Sequence, residues 1–363
     1  MIKISQEVTR SEAGSVLLFC PIKNEMKFLP HFLKHYRRLG IKDFIFIDNC
    51  STDGGVDYLM QQSDCTIFQT DRSFKDSNFG MDWVNVLIQD LCLGKWAIFV
   101  DCDEFLVFEN CESEDLPEFC RKSKFNGFDT VAAAMIDMYP SGDFLNCHFT
   151  SSDELIEVMP YFDSEYLFRR WPRRIWDSSQ SNFDLQVIGG PRIRLLSSLE
   201  VESKRGAYYY TICNQVDRFI EFVPEKYIKY VASMWPVEIP AQQKRPLNFI
   251  TEKFSYHSNH ASNNVLLSND FVALLHFKLC DELRKRVSQT KLLASHYRRG
   301  LSYEQLRQAI LKFEGSSLTY SGTLKYGSSR DLLQVGIIGK HVSQLWTGGG
   351  HQKILTPKTG NLR

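Results

Sequence analysis

The chain has 363 residues, room for one large α/β domain or two ordinary ones, and its 43% apolar and 13% aromatic content suits a sizeable core and argues against disorder. Lysine plus arginine and aspartate plus glutamate number 43 each, so no global charge points to nucleic acid, and an anionic partner has to be met by a local patch. The ten cysteines show no CxxC pair or regular framework and read as reduced, mostly buried thiols.

The N-terminal extension, residues 1–14 (MIKISQEVTRSEAG), has no apolar signal core. No apolar run approaches the roughly 20 residues of a membrane helix. The expectation is a cytoplasmic protein, with peripheral contact at the inner face of a membrane left open. Ser15 to Cys20 (SVLLFC) reads as a buried strand that Pro21 ends, followed by a helix capped by Asn24. Leu29, Phe32, Leu33, Tyr36 and Leu39 share one helical face, and Gly40 stops it. Asp43 to Ile47 is a second strand, Val56 to Gln62 a short helix, Cys65 to Gln69 a third strand and Phe79 to Leu93 an amphipathic helix. A fourth strand starts at Trp96. This alternation predicts a doubly wound, mostly parallel sheet with right-handed crossovers.

The fourth strand opens the stretch KWAIFVDCDEFLVF, Lys95 to Phe108, which carries the strongest chemical signal. An apolar run ends in Asp101, Cys102, Asp103 and Glu104. Open α/β sheets bind ligands at that edge. On extended backbone, residues i and i+2 point the same way, so Asp101 and Asp103 are expected to face one site. Two carboxylates there repel unless a cation lies between them. The pattern therefore points to a divalent metal and a phosphate-bearing substrate. A solvated acidic turn is the plainer alternative. The other strand ends carry Lys23-Asn24-Glu25, Asp48-Asn49 and Asp71-Arg72, so polar residues gather along one edge.

Later segments are less regular. Glu109 to Ser123 reads as a loop with a short helix, and Thr130 to Tyr139 as a strand. Arg169 to Arg174 (RRWPRR) is a basic stretch suited to an anionic acceptor, a membrane surface or plain solvent. The glycine pair in VIGGPRIRLL permits close backbone approach. Helices are expected over Asp281 to Tyr297 and Ser302 to Phe313, and the tail from Gly348 is polar. His257, His260 and His276 are candidates to complete a metal site. DNCSTDGG admits two readings: Asp48 binds a base or ribose, or it closes an Asx-type turn. Arg72 reaches a base or phosphate, or is a surface arginine. An aspartyl-phosphate phosphatase also places DxD after an apolar strand. Phe105 stands where that class has Thr or Val, and three strands precede the motif.

CPIKNEMKFLPHFLKHYRRLGIKDFIFIDNCSTDGG followed by WAIFVDCDEFLVF resembles the nucleotide-sugar domain of family 2 glycosyltransferases, in the branch related to family 92. The resemblance continues through MIDMYP, PYFD, KRPLNFITEKFSYHSNH and LLHFKL, over roughly residues 15 to 337. It implies a GT-A fold at residues 15–280, with a nucleotide-sugar half to about 140 and an acceptor half after it. A C-terminal helical acceptor-side region (281–347) and a polar tail (348–363) follow. It further implies Mn²⁺ or Mg²⁺ and a nucleotide-sugar donor, UDP-sugar foremost. The implied acceptor is a glycan or lipid-linked glycan, in bacterial surface polysaccharide assembly. Asp101, Asp103 and His276 would bind the metal. Pro21, Asn24, Glu25, Asp48, Arg72, Asp101 and Lys278 would line the nucleotide. Cys102 in the middle of DxD is a departure, and no acidic pair for the base stands near VIGGPRIRLL, so Asp163, Asp137 and His260 are the candidates for that role. The alternatives are a non-catalytic nucleotide- or sugar-binding protein on a degenerate fold of this kind, and a nucleotidyltransferase.

Overall fold

Apolar residues that alternate between two faces need cover on both, and the sheet receives it. A computed structural model describes residues 2–4, 14–172, 183–201, 242–258, 260–263, 266–288, 314–340 and 353–354. Its first elements are β1 (Ile2–Lys3), β2 (Val16–Ile22), α1 (Leu29–Arg38), β3 (Asp43–Asp48), α2 (Gly55–Met60), β4 (Cys65–Gln69), α3 (Met81–Cys92) and β5 (Trp96–Phe99). Leu18, Cys20, Phe44, Phe46 and Ile98 point into one core layer with Phe32, Leu33 and Tyr36 of α1. Leu17, Phe19, Ile45, Ile47 and Phe99 point into the other with Trp83, Val84, Leu87 and Ile88 of α3. Helices thus cover both faces of a Rossmann-like α/β sheet.

The remaining elements extend it. They are β6 (Glu104–Val107), α4 (Leu116–Phe125), β7 (Thr130–Asp137), α5 (Leu155–Val158), β8 (Tyr161–Asp163), β9 (Tyr166–Pro172), β10 (Phe183–Gly189), α6 (Gly190–Val201), β11 (Gln243–Phe249), β12 (Tyr256–Ser258), β13 (Ala261–Ser262), β14 (Leu267–His276), α7 (Asp281–Ser288), β15 (Thr323–Lys325), α8 (Ser329–Gln334), β16 (Gly339–Lys340) and β17 (Lys353–Ile354). The main sheet has ten strands in the order β1-β4-β3-β2-β5-β11-β7-β14-β16, with β6 also paired to β14. Strands β4, β3, β2 and β5 are mutually parallel. β11 is antiparallel to both β5 and β7, and β14 is parallel to β7. Six strands therefore share one direction, and β3, β5, β7 and β14 all deliver their carboxyl ends to one edge. No helix among the described residues is long and apolar enough to cross a membrane.

Several local expectations shift. Pro21 lies inside β2, opposite Ile47 of the parallel neighbour, where its missing N–H is tolerated. Asn24 caps no helix: α1 starts at Leu29, and Asn24 adopts φ 56° while its side chain accepts from Thr52 N at 2.8 Å. Gly40, at φ 86°, does follow the end of α1 in the left-handed conformation that glycine tolerates best. Thr130 to Asp137 forms the expected strand. The segment Lys95 to Phe108 is two strands, with a turn closed by Glu104 N to Asp101 O at 3.1 Å. Of the helix expected from Asp281, only Asp281–Ser288 is described; Ser302 to Phe313, Arg173, Arg174 and most of the tail lie outside the described residues. The nine described cysteines are free, and all but Cys50 are buried.

β6 pairs with β14 along one side, and α1 serves its other side with side chains. Tyr36 Oη donates to Glu104 O at 2.9 Å and accepts from Leu106 N at 3.2 Å. His35 Nε2 donates to Leu106 O at 2.9 Å. The Tyr36→Phe variant leaves a buried carbonyl and a buried N–H unpaired. It should lose about 1–3 kcal/mol of unfolding free energy in urea titration, and an unchanged midpoint would show that water replaces the hydroxyl.

Candidate metal centre at the sheet edge

Strand register alone brings three titratable residues into a row. His276 closes β14 opposite Glu104 of antiparallel β6 on one side and Asp137 of parallel β7 on the other. All three are buried. The turn before β6 then folds Asp103 over the end of β14, with Phe277 N donating to Asp103 O at 2.9 Å. Asp103, Glu104 and His276 each offer a ligand atom, and these atoms all lie within 4.8 Å of one another.

The imidazole is held in one tautomer. His276 Nδ1 donates to Asp137 Oδ1 at 2.6 Å, which turns Nε2 and its lone pair toward Asp103 Oδ2 at 3.6 Å. Burial lowers the His276 pKa against the pull of Asp103 and Asp137, so the ring is neutral, the form that ligates metals. Asp137 accepts a second charged donor, Arg192 Nε, at 2.6 Å. Burial alone would raise its pKa, but Arg192 and His276 outweigh that and hold it at about 2. A carboxylate fixed behind a histidine in this way is the usual outer partner of a metal-ligating imidazole.

The acidic turn has its own cation. Lys244, at the start of β11, reaches Asp101 Oδ2 at 2.9 Å and Glu104 Oε1 at 2.6 Å. Burial opposes its charge, but the two carboxylates push its pKa above the usual lysine range. One lysine does not satisfy both acids. Asp101, whose side chain is 44% exposed, is brought down to about 2 against the opposing effect of burial. Glu104, stripped of water and beside Asp101 and Asp103, is pushed up to about 8.

The expected residues divide accordingly. Asp103 and His276 meet as metal candidates. Asp101 does not join them, because residues 101–103 form a turn and not extended backbone; Glu104 takes the third position among the described residues. Asp48 is fully buried and closes its own turn, accepting from Ser51 N at 3.1 Å and Gln69 Nε2 at 2.9 Å. Asn24 and Asp53 tie the β2–α1 loop to that turn. Glu25 and Lys278 are half-buried near the edge, and Arg72 is exposed. Asp163 is enclosed by Arg194, at 2.8 and 2.9 Å, and by Tyr139 Oη at 2.7 Å. His260 Nδ1 donates to Gln243 O at 2.8 Å, so in the neutral ring Nε2 is the proton-accepting nitrogen. Burial, then Lys244, lowers the His260 pKa to about 4. Glu104, Lys244, Arg192 and Arg194 escaped the sequence reading. Glu104 stood in the acidic run itself, whereas the cations carry no local signal. No known protein-family model matches the sequence, and no curated protein matches it.

Glu104 ionises near 4.5 in an unfolded chain and near 8 in the fold. Between those values the unfolded state has released a proton that the native state keeps, so stability falls as pH rises through this window. A cation at the centre favours the ionised form and reverses the trend. Thermal melts of the metal-free protein should fall from pH 5 to 8, and the increment from added Mn²⁺ should grow over the same range. An increment independent of pH would remove Glu104 from the ligand set.

Proposed function

We propose that the protein is a metal-dependent glycosyltransferase of GT-A type, transferring a sugar from a nucleoside-diphosphate donor to a glycan or lipid-linked glycan acceptor. The observation that carries this reading is the Asp103–Glu104–His276 cluster at the carboxyl edge of the sheet, with His276 oriented by Asp137. Two carboxylates and a neutral imidazole suit Mn²⁺ or Mg²⁺, and Asp103, Glu104 and His276 would hold it. Such an ion, when bound, offsets charge developing on a diphosphate leaving group. Lys244 keeps Asp101 and Glu104 in position, and Lys278 adds positive charge close enough to act on Asp101.

In the transfer the acceptor oxygen bonds to the anomeric carbon, the bond from that carbon to the diphosphate oxygen breaks, and the acceptor proton passes to a base. Of the base candidates, Asp137 and Asp163 are engaged by arginines and other donors, whereas His260 keeps a proton-accepting Nε2. That favours His260 for the base and leaves Asp137 as a positioning residue.

A second reading rests on Lys244. A lysine salt-bridged to Asp101 and Glu104 is a resident cation, as expected of a non-catalytic nucleotide- or sugar-binding protein that needs no metal. Calorimetric titration separates the two. UDP or GDP should bind with Mn²⁺ and weaken at least tenfold in chelator, and His276→Ala should remove the metal dependence while the apo protein stays folded. Asp137→Asn, which disturbs the ring from behind, should cost about 10–100-fold in Mn²⁺ affinity. Equal nucleotide affinity with and without chelator would favour the lysine-based reading.

A further inference from the structure

The acidic turn carries a second feature that the metal centre does not use. Cys102, the residue between Asp101 and Asp103, packs in the core layer shared with α1. There it meets Cys20 of β2. The two sulfurs lie 3.6 Å apart, within hydrogen-bonding distance, although 82 positions separate the residues in sequence. Both thiols are free and buried.

What holds the two sulfurs differs. Cys20 lies inside β2, which pairs with β3 on one side and β5 on the other. Cys102 belongs to no strand. Its turn is held by Glu104 N donating to Asp101 O at 3.1 Å, by Lys244 on Asp101 and by Phe277 N donating to Asp103 O at 2.9 Å. A disulfide bond is about 2.05 Å long, so the sulfurs have to close by roughly 1.5 Å to form one. The strand is fixed on both sides, so the turn takes up that movement. Asp103 is the next residue along, with Oδ2 at 3.6 Å from His276 Nε2. Metal–ligand distances are met to within about 0.2 Å. A turn drawn toward β2 therefore spoils the placement of Asp103.

We propose that Cys20 and Cys102 form a redox lock on the metal turn: a hydroperoxide joins them in a disulfide that displaces Asp103, and a dithiol reductant reverses it. The lock rests on the metal-dependent reading of the site, whose regulation it specifies. In the first step the Cys102 sulfur bonds to one oxygen of the peroxide and the O–O bond breaks. The thiol proton leaves with the other oxygen as an alcohol, or as water from hydrogen peroxide. In the second step the Cys20 sulfur bonds to the Cys102 sulfur, the S–O bond of the sulfenic acid breaks, and its hydroxyl leaves with the Cys20 proton as water. Two thiols are oxidised and one peroxide is reduced. In the reverse direction the dithiol is itself oxidised to a disulfide. Burial raises the pKa of both thiols, so the closed protein reacts slowly. The route is local opening of the turn, whose Asp101 side chain is already 44% exposed. An ion held by Asp103 and His276 ties the turn to β14 and opposes that opening. Metal binding and oxidation are then linked, each disfavouring the other.

The test treats the full chain, reduced and metal-free, with hydrogen peroxide and maps the product by mass spectrometry of non-reduced peptides. A Cys20–Cys102 link should form, and saturating Mn²⁺ should slow its formation. The linked protein should bind Mn²⁺ at least roughly fivefold more weakly by calorimetry, and dithiothreitol should restore the affinity. Cys20→Ala, given the same peroxide treatment, should keep its Mn²⁺ affinity. Cys102→Ala serves the same purpose if Cys20→Ala fails to fold. A linked protein with unchanged Mn²⁺ affinity overturns the lock. So does an alanine variant that loses affinity on oxidation as the wild type does, since the damage then lies at other residues. A reduced protein that binds Mn²⁺ but forms no link when metal-free overturns the lock alone. One that binds no Mn²⁺ overturns the metal-dependent reading and the lock with it.

Discussion

The hydrogen bond between His276 and Asp137 is the constraint around which the sheet edge is built. An ionised carboxylate without access to water costs several kcal/mol unless its oxygens are taken up by donors of matching charge. Asp137 has no exposed surface, and its two oxygens are met by Nδ1 of His276 and Nε of Arg192. The first partner requires β14 to lie beside β7 in the register that sets His276 against Asp137. The second requires helix α6 to begin next to the same strand end. Local geometry that suits a metal ligand is thus a by-product of keeping one buried charge solvated by protein.

Charge balance sets what the edge can accept. Lys244 contacts Asp101 and Glu104 and Arg192 contacts Asp137, while Asp103 pairs with neither cation. His276 is neutral and contributes none. The four carboxylates outnumber the cations that contact them, an imbalance that favours a further positive charge. Without an ion, the group that yields is Glu104, whose raised pKa records the cost of placing a third acid beside Asp101 and Asp103. The same arithmetic explains why a single lysine does not make the centre self-sufficient.

The strand–helix alternation of the first half was readable because each strand is a short apolar run and each helix has one apolar face. Asp103 and His276 were readable from a motif and a resemblance. What escaped has a common cause, dependence on the path of the chain. Treating residues 101–103 as extended put Asp101 with Asp103, while the real turn exchanges Asp101 for Glu104. Asp48 admitted a ligand-binding or a turn-closing reading, and burial with Ser51 and Gln69 as partners favours the turn. Lys244 lies 143 positions from Asp101, and Arg192 lies 55 from Asp137. No periodicity or spacing connects residues so far apart. The glycine pair was noticed for its backbone freedom, but the side chains packed against it, Tyr166 and Gln242, come from elsewhere in the chain.

The two cations and the candidate ion do not compete for one place. Lys244 engages Glu104 Oε1, and the other oxygen, Oε2, accepts from the backbone N–H of Asp101 at 3.1 Å. A carboxylate has about four lone-pair sites, so those contacts leave Glu104 capacity for a further bond, though part of that capacity is already taken. Asp103 and His276 Nε2 carry no such load from Lys244. The ligand strength of the centre therefore lies mainly in Asp103 and the imidazole, and Glu104 is the adjustable member. A lysine that holds Glu104 in position also limits how tightly it can grip an ion. That suits an ion with coordination positions left open better than one that protein alone encloses.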